Sequence, residues 1–197
     1  MVELRIRSAT LDDAPLLADL AERTWTQAVR GVISHEDVAA HLAEVRSKPS
    51  VVAALNNQSI LVAESDSALV GWVEFGDVAI PEVDVRPGDQ ELRRLYVEPS
   101  LQGQGIGRQL MTAALAHPRL AAARRIFLQV CKENERAIRL YESFGFRRVG
   151  TTTFTMAAHV QPELAECGAA AVEVDGDLSI VEFGAFMPVP TTRESNV

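Results

Sequence analysis

The sequence predicts an α/β protein, and three observations carry that expectation. Strand-like alternation and helix-like periodicity take turns along the chain, two of the strands are parted only by the polar turn around Asp66 and Ser67, and the apolar LYV of Leu95–Val97 runs through a glycine-rich turn into a helical segment. A chain of 197 residues, 47% of them hydrophobic, is long enough to bury a real core and suits one domain with at most an appendage.

Each element has its own justification. Leu4, Ile6 and Ser8 alternate with Glu3, Arg5 and Arg7, the period of a strand with one wet face. Thr10 or Asp12 is eligible to cap a helix carrying Leu16, Leu17, Leu20 and Trp25, with Gly31 as its interruption. A second helix is expected over His35 to Arg46 through Val38, Leu42 and Val45, with Pro49 just past its end. SILVAES and ALVGWVEFGDV then form a hairpin, IPEVDVRPGDQ is a loop, and ELRRLYV is the next strand, stopped at Glu98-Pro99. Beyond the glycines, Arg108 to Ala116 is a helix ended by His117-Pro118, and RIFLQVC is an apolar strand. Asn134 opens a further helix with an apolar stripe through Ala137, Ile138, Leu140, Tyr141 and Phe144, and Gly145 stands where a left-handed C-cap is usual. FRRVGTTTF resumes as a strand, Pro162 to Ala170 suits a short helix, AVEVDG suits the start of a hairpin, DLSIVEFGAFMPV alternates as a last strand, and TTRESNV is a frayed tail.

Composition excludes several classes. A formal charge of −8 argues against a nucleic-acid partner and for a cationic one. Cys131 and Cys167 lack CxxC spacing, so neither a disulfide framework nor a zinc knuckle is indicated. His35, His41, His117 and His159 show no ligand spacing, so no metal is expected. Charges interrupt the N-terminus where a signal peptide needs an apolar run, and no segment has the length of a membrane span. The expectation is a cytoplasmic protein with no membrane partner.

The chemistry is concentrated in QGQGIGR, Gln102 to Arg108. Strand, glycine turn and helix together aim unpaired amides and a helix dipole at an anion. A P-loop would need GxxxxGK followed by Ser or Thr, and no lysine follows Gly107. A dinucleotide fingerprint would need GxGxxG, and from Gly103 and Gly105 its third glycine falls on Arg108. What remains is a run in which Gln102 precedes the first glycine and Arg108, a cation able to join the amides around a pyrophosphate, follows the last.

This run resembles the acetyl-coenzyme A signature of the GCN5-related N-acetyltransferase (GNAT) superfamily, which asks for Arg or Gln, two residues, Gly, one residue, then Gly or Ala. Gln102, Gly105 and Gly107 satisfy it in frame, and NERAIRLYESFGFRRVG carries the family's asparagine, alanine, tyrosine and FGF at familiar spacings. The resemblance covers roughly residues 3–155, with ELRRLYV and the NERAIRLYESFGF segment similar to the spermine/spermidine acetyltransferase group. It implies a GNAT fold: a mixed, mostly antiparallel sheet flanked by helices and splayed between its fourth and fifth strands. Residues 1–155 would form the core, 156–190 a strand-containing extension of the same domain, and 191–197 a flexible tail.

The resemblance also implies roles. Acetyl-coenzyme A would pair with the fourth strand through the backbone of Leu95, Tyr96 and Val97, and its pyrophosphate would rest on Gln102, Gly103, Gln104, Gly105, Ile106, Gly107 and Arg108. Val97 N–H would stabilise charge on the thioester oxygen. Tyr141 would protonate the leaving thiolate, and Asn134 would hold the pantetheine or cap its helix. Glu91 would serve as base, with Glu74 as rival, because an amine with a pKa near 10.4 must lose its proton before it attacks. The acceptor stays open among polyamines, protein N-termini or lysines, and small amines, and a homodimer is one use for the extension. From another class, the chain would bind acyl-coenzyme A without turnover, as a sensor or regulatory subunit; a nucleotide-binding regulatory domain is disfavoured by the missing lysine and glycine.

Overall fold

The structure is a computed structural model that describes residues 4–28, 48–80, 83–131, 134–152 and 180–183. In chain order these form β1 (Leu4–Ser8), α1 (Ala14–Ala28), α2 (Lys48–Asn57), β2 (Ser59–Ser65), β3 (Ala68–Gly76), β4 (Asp89–Val97), α3 (Ile106–Ala116), α4 (Pro118–Ala121), β5 (Arg125–Cys131), α5 (Glu135–Glu142), β6 (Arg148–Thr152) and β7 (Ile180–Phe183). One sheet takes the order β1-β2-β3-β4-β5-β7-β6. Pairing is antiparallel from β1 to β4, which holds the greater part of the ladder, and parallel for β4–β5, β5–β7 and β6–β7.

Local chemistry sets these elements. Asp66 and Ser67 both take positive φ (47° and 64°), the twist that joins β2 to β3 in a tight hairpin. Thr10 precedes a 3-10 turn, Leu11–Asp13, that leads into α1. There the acidic partner is Asp13 rather than Asp12: Thr10 N–H and Oγ1 donate to its carboxylate (2.7 and 3.0 Å), and Arg7 donates to both its oxygens.

Three boundaries differ from the sequence reading. Pro49 lies in the first turn of α2, a helix for which the sequence reading has no element, where a missing N–H costs nothing. The expected helix over 35–46 lies outside the described residues, as do Gly31, the expected helix over 162–170, AVEVDG and the tail. β4 begins at Asp89, two residues early, because Asp89 is tied on both sides, accepting from Arg86 N–H (2.7 Å) and pairing with Arg125 of β5. α3 begins at Ile106 because Ile106 is buried and Gly107 already belongs to the first turn.

Helices cover the sheet on both faces. α3 and α5 sit on one, where Leu110, Met111, Ala114, Tyr141 and Phe146 meet Phe75, Leu92 and Leu128. α1 and α2 sit on the other, where Leu17, Leu20, Ala21 and Val51 meet Ile60, Val62 and Trp72. Gly71 of β3 lets α3 come close: an added Cβ would stand 3.0 Å from Tyr96 O and 3.1 Å from Leu110 Cδ1. Among the described residues no helix is long and apolar enough to cross a membrane.

Candidate active site

β4 and β5 pair only from Asp89–Arg125 to Leu92–Leu128. Beyond that point β4 continues to Val97 and β5 to Cys131 without meeting, so the sheet opens into a gap. A bulge accompanies the opening. Phe75 faces Leu92 and Glu74 faces Arg94, which leaves Arg93 as the extra residue, and an extra residue bends the strand that carries it.

The bulge half of β4 offers backbone to the gap. Glu98 N–H donates to Val70 O of β3 (2.8 Å), so the alternation of the ladder turns the N–H and C=O of Tyr96 toward β3 and those of Leu95 and Val97 toward the gap. This corrects the expectation for Tyr96, whose backbone is directed away from the gap. Its ring stacks on Trp72 on the α1/α2 face, with centroids 5.7 Å apart.

At the end of the gap lies the glycine turn. Gly103 and Gly105 take φ of +90° and +84°, a conformation side chains rarely adopt, and nothing lies within 4 Å of a Cβ added at Gly105. The N–H groups from Gly103 through Arg108 donate to no acceptor among the described residues. Six consecutive amides without an acceptor at the N-terminus of an 11-residue helix are suited to cradle an anion. Gln102 braces the turn: its Nε2 donates to Val97 O (3.2 Å), and its Oε1 accepts from Arg136 (3.0 Å).

The cations are arranged otherwise than expected. Arg108 donates to Ser143 Oγ (2.9 Å) and lies over the Phe144 ring, so its charge is drawn to the C-terminal end of α5. Arg136, which the sequence reading did not single out, stands closer to the cradle, its Nη2 3.8 Å from a Cβ added at Gly103. The signal was its place in the first turn of the helix opened by Asn134. Asn134 is that helix's N-cap, its Oδ1 accepting from Ala137 N–H (3.1 Å).

Tyr141 projects from α5 into the core and is 6% exposed, with its ring against Phe146. Burial pushes its phenol far above the ordinary value of 10, and the neighbouring Tyr96 adds to the effect. The hydroxyl has no protein hydrogen-bond partner among the described residues, so it is a neutral acid with a proton to give.

The acids lie on the opposite face. Leu92 belongs to the α3/α5 core, so its neighbour Glu91 points to the α1/α2 side, where it is 6% exposed. Burial raises its carboxyl above the usual glutamate value of 4.5 against the pull of Ala79 N–H, which donates to it at 2.7 Å, and of Arg93. Glu74, 2% exposed, is held by Arg94 Nη1 at 2.5 Å. Among the described residues no cluster of His, Cys, Asp and Glu is arranged to hold a metal.

A sheet split between parallel strands, with a run of free amides at the split, suits an extended ligand that ends in an anion, as an acyl-thioester cofactor does. A profile of the acetyltransferase (GNAT) family matches residues 18–146. An uncharacterized N-acetyltransferase of Mycobacterium bovis is 32% identical over 153 residues, 76% of this chain and 92% of its own. The chain belongs to the GNAT family and is an N-acetyltransferase. The spermine/spermidine N(1)-acetyltransferase of Bacillus subtilis is 33% identical over 87 residues, 44% of this chain and 57% of that protein. The crystal structure of the PaiA N-acetyltransferase from Thermoplasma acidophilum in complex with coenzyme A shares the fold at a TM-score of 0.66 and 23% identity, over 76% of this chain and 93% of that one.

Proposed function

We propose that the protein transfers an acetyl group from acetyl-coenzyme A to a primary amine by direct attack within a ternary complex. The observation that carries this reading is the run of unpartnered amides from Gly103 through Arg108 beside an open strand edge. The residues fit the cofactor: Leu95 and Val97 offer backbone groups to an extended pantetheine, and the cradle with Arg136 suits a pyrophosphate. When bound, acetyl-coenzyme A would supply a thioester-activated acetyl group.

The protein's part is positioning and proton traffic. Val97 N–H, turned into the gap, would stabilise the negative charge that develops on the acyl oxygen. Glu91 would accept the amine's proton, directly or through water. Its raised pKa makes it a better base than an exposed glutamate, while the carboxylate of Glu74 is already engaged by Arg94. Tyr141 would give its proton to the departing sulfur. In the same reading residues 156–190 complete the domain of residues 1–155, consistent with β7 lying in the same sheet, and the protein works in the cytoplasm, which cell fractionation checks. A homodimer is one use for the extension, and sedimentation measures it.

Release of free thiol from acetyl-coenzyme A, measured against a panel of amines that includes spermidine, lysine-bearing peptides and peptides with free N-termini, tests the function. Release that depends on an amine supports it. Saturable cofactor binding without release for any amine replaces it with an acyl-coenzyme A sensor.

A further inference from the structure

We propose that the acceptor is an amine that carries a carboxylate on the same molecule, an amino acid or a peptide with a free C-terminus, and that Arg94 receives that carboxylate. The inference rests on the acetyltransferase reading and names its substrate class.

Arg94 stands on the splayed half of β4, three residues before Val97, on the face covered by α1 and α2. It lines a small hollow there with Leu17, Ala21, Val51, Trp72 and Glu74. A guanidinium has five N–H donors in a fixed fork. One of Arg94's goes to Glu74, and among the described residues none of the others has an acceptor. Neutralising Glu74 therefore uses one corner of the group. The side chain is 27% exposed, so the rest of the fork remains within reach of a ligand. A guanidinium anchored by a buried carboxylate and open along its other edge is preorganised for a second carboxylate.

Among the described residues, charge on this face favours the same class. Polyamine recognition needs carboxylates to spare, and here Glu74 is paired with Arg94 while Glu91 accepts from Ala79 N–H and lies 3.9 Å from Arg93 Nε. The exposed Glu22 lies in a separate, open groove near the end of α1, beside the Arg23–Glu98 pair. Similarity to the Bacillus polyamine enzyme covers only 44% of this chain, so it does not bring the acceptor with it.

The test compares kcat/KM, by thiol release, for ω-amino acids from glycine to 6-aminohexanoate, for their carboxamides, and for spermidine. At the best chain length the free acid should exceed its amide by at least about tenfold, chiefly in KM, as expected for losing a bidentate charged contact. Arg94→Lys keeps a cation beside Glu74 and should cut that preference several-fold. The double variant Arg94→Met/Glu74→Gln leaves no unpaired buried charge and should bring the acid-to-amide ratio to about one. Equal rates for acid and amide in the unaltered protein, or a preference for spermidine, would overturn the inference and leave the transferase reading standing. A preference that survives the double variant would overturn the role of Arg94. No release with any amine would overturn the transferase reading, and the inference with it.

Discussion

The α3/α5 face of the sheet packs Leu110, Met111, Ala114 and Phe146 with Tyr141 among them, whereas the α1/α2 face buries Glu74 and Glu91 and brings Arg94 against Glu74. β4 divides them, and its bulge at Arg93 shifts which residues face which way. On the proposed function, the contrast teaches that donor and acceptor chemistry are kept apart by the sheet. One side offers backbone amides and a neutral acid, groups suited to a fixed cofactor; the other offers charged side chains, groups that discriminate among amines. Each side can be broken without the other.

The largest effect should follow from Tyr141→Phe. The ring and its packing on Phe146 survive, but the acid is gone, and kcat should fall on the order of 10²–10³-fold. Cofactor affinity, measured by calorimetry, should change less than about twofold, because the cradle does not include the hydroxyl. A loss of affinity equal to the loss of kcat would make Tyr141 a packing residue only.

Glu91→Gln probes the other face and should lower kcat/KM about 10²-fold near neutrality. The pH profile sharpens the point. A base works unprotonated, so activity falls as pH drops through the carboxyl's pKa, and burial has raised that pKa above 4.5. The unaltered protein should therefore lose activity at a higher pH than an ordinary glutamate would dictate, and the variant should lack that limb. An unchanged profile would assign the proton to another group.

Gly105→Val returns to the donor side. A β-branched residue resists φ of +84°, and the strain would tilt the amides of the cradle. KM for acetyl-coenzyme A should rise about tenfold, while the acid-over-amide preference assigned to Arg94 stays as it was. A shift in that preference would mean that the faces are coupled.

The same contrast explains what the sequence makes legible. Gly103, Gly105 and Gly107 announce the cradle because a backbone demand is written directly in residue type, and the Asn134 cap and the Gly145 stop mark α5 for the same reason. The acceptor face depends on which charged groups meet across strands. That the second Arg of ELRRLYV pairs with Glu74 of the preceding strand follows from a bulge, and a one-residue shift of register is invisible to alternation read strand by strand. The helix α2 is missed because proline marks both the start of one helix and the space after another, and the sequence reading takes Pro49 only in the second way. Arg136 is missed because a charge in the first turn of an amphipathic helix looks like an ordinary solvated face until folding brings it to Gln102.

The smallest effect on turnover belongs to Asp13, far along the chain from both sets of groups, where α1 is fastened to the sheet. Arg7 donates to both its oxygens (2.7 and 2.8 Å) and also to Glu64 of β2, and these bonds hold the Asp13 carboxyl well below the usual carboxylate range. Because the folded-state pKa is depressed, the stabilisation is present above the unfolded value of about 3.9 and is lost as pH falls from there toward the folded one. Asp13→Asn should cost about 2 kcal/mol at pH 7, as expected for charged hydrogen bonds in a partly buried site, with kcat at 25 °C within about twofold. Melting curves taken from pH 7 downward check it: the gap between the two proteins should narrow below about pH 4. A gap that stays constant would mean that the bonds to Thr10, and not the charge, fasten α1.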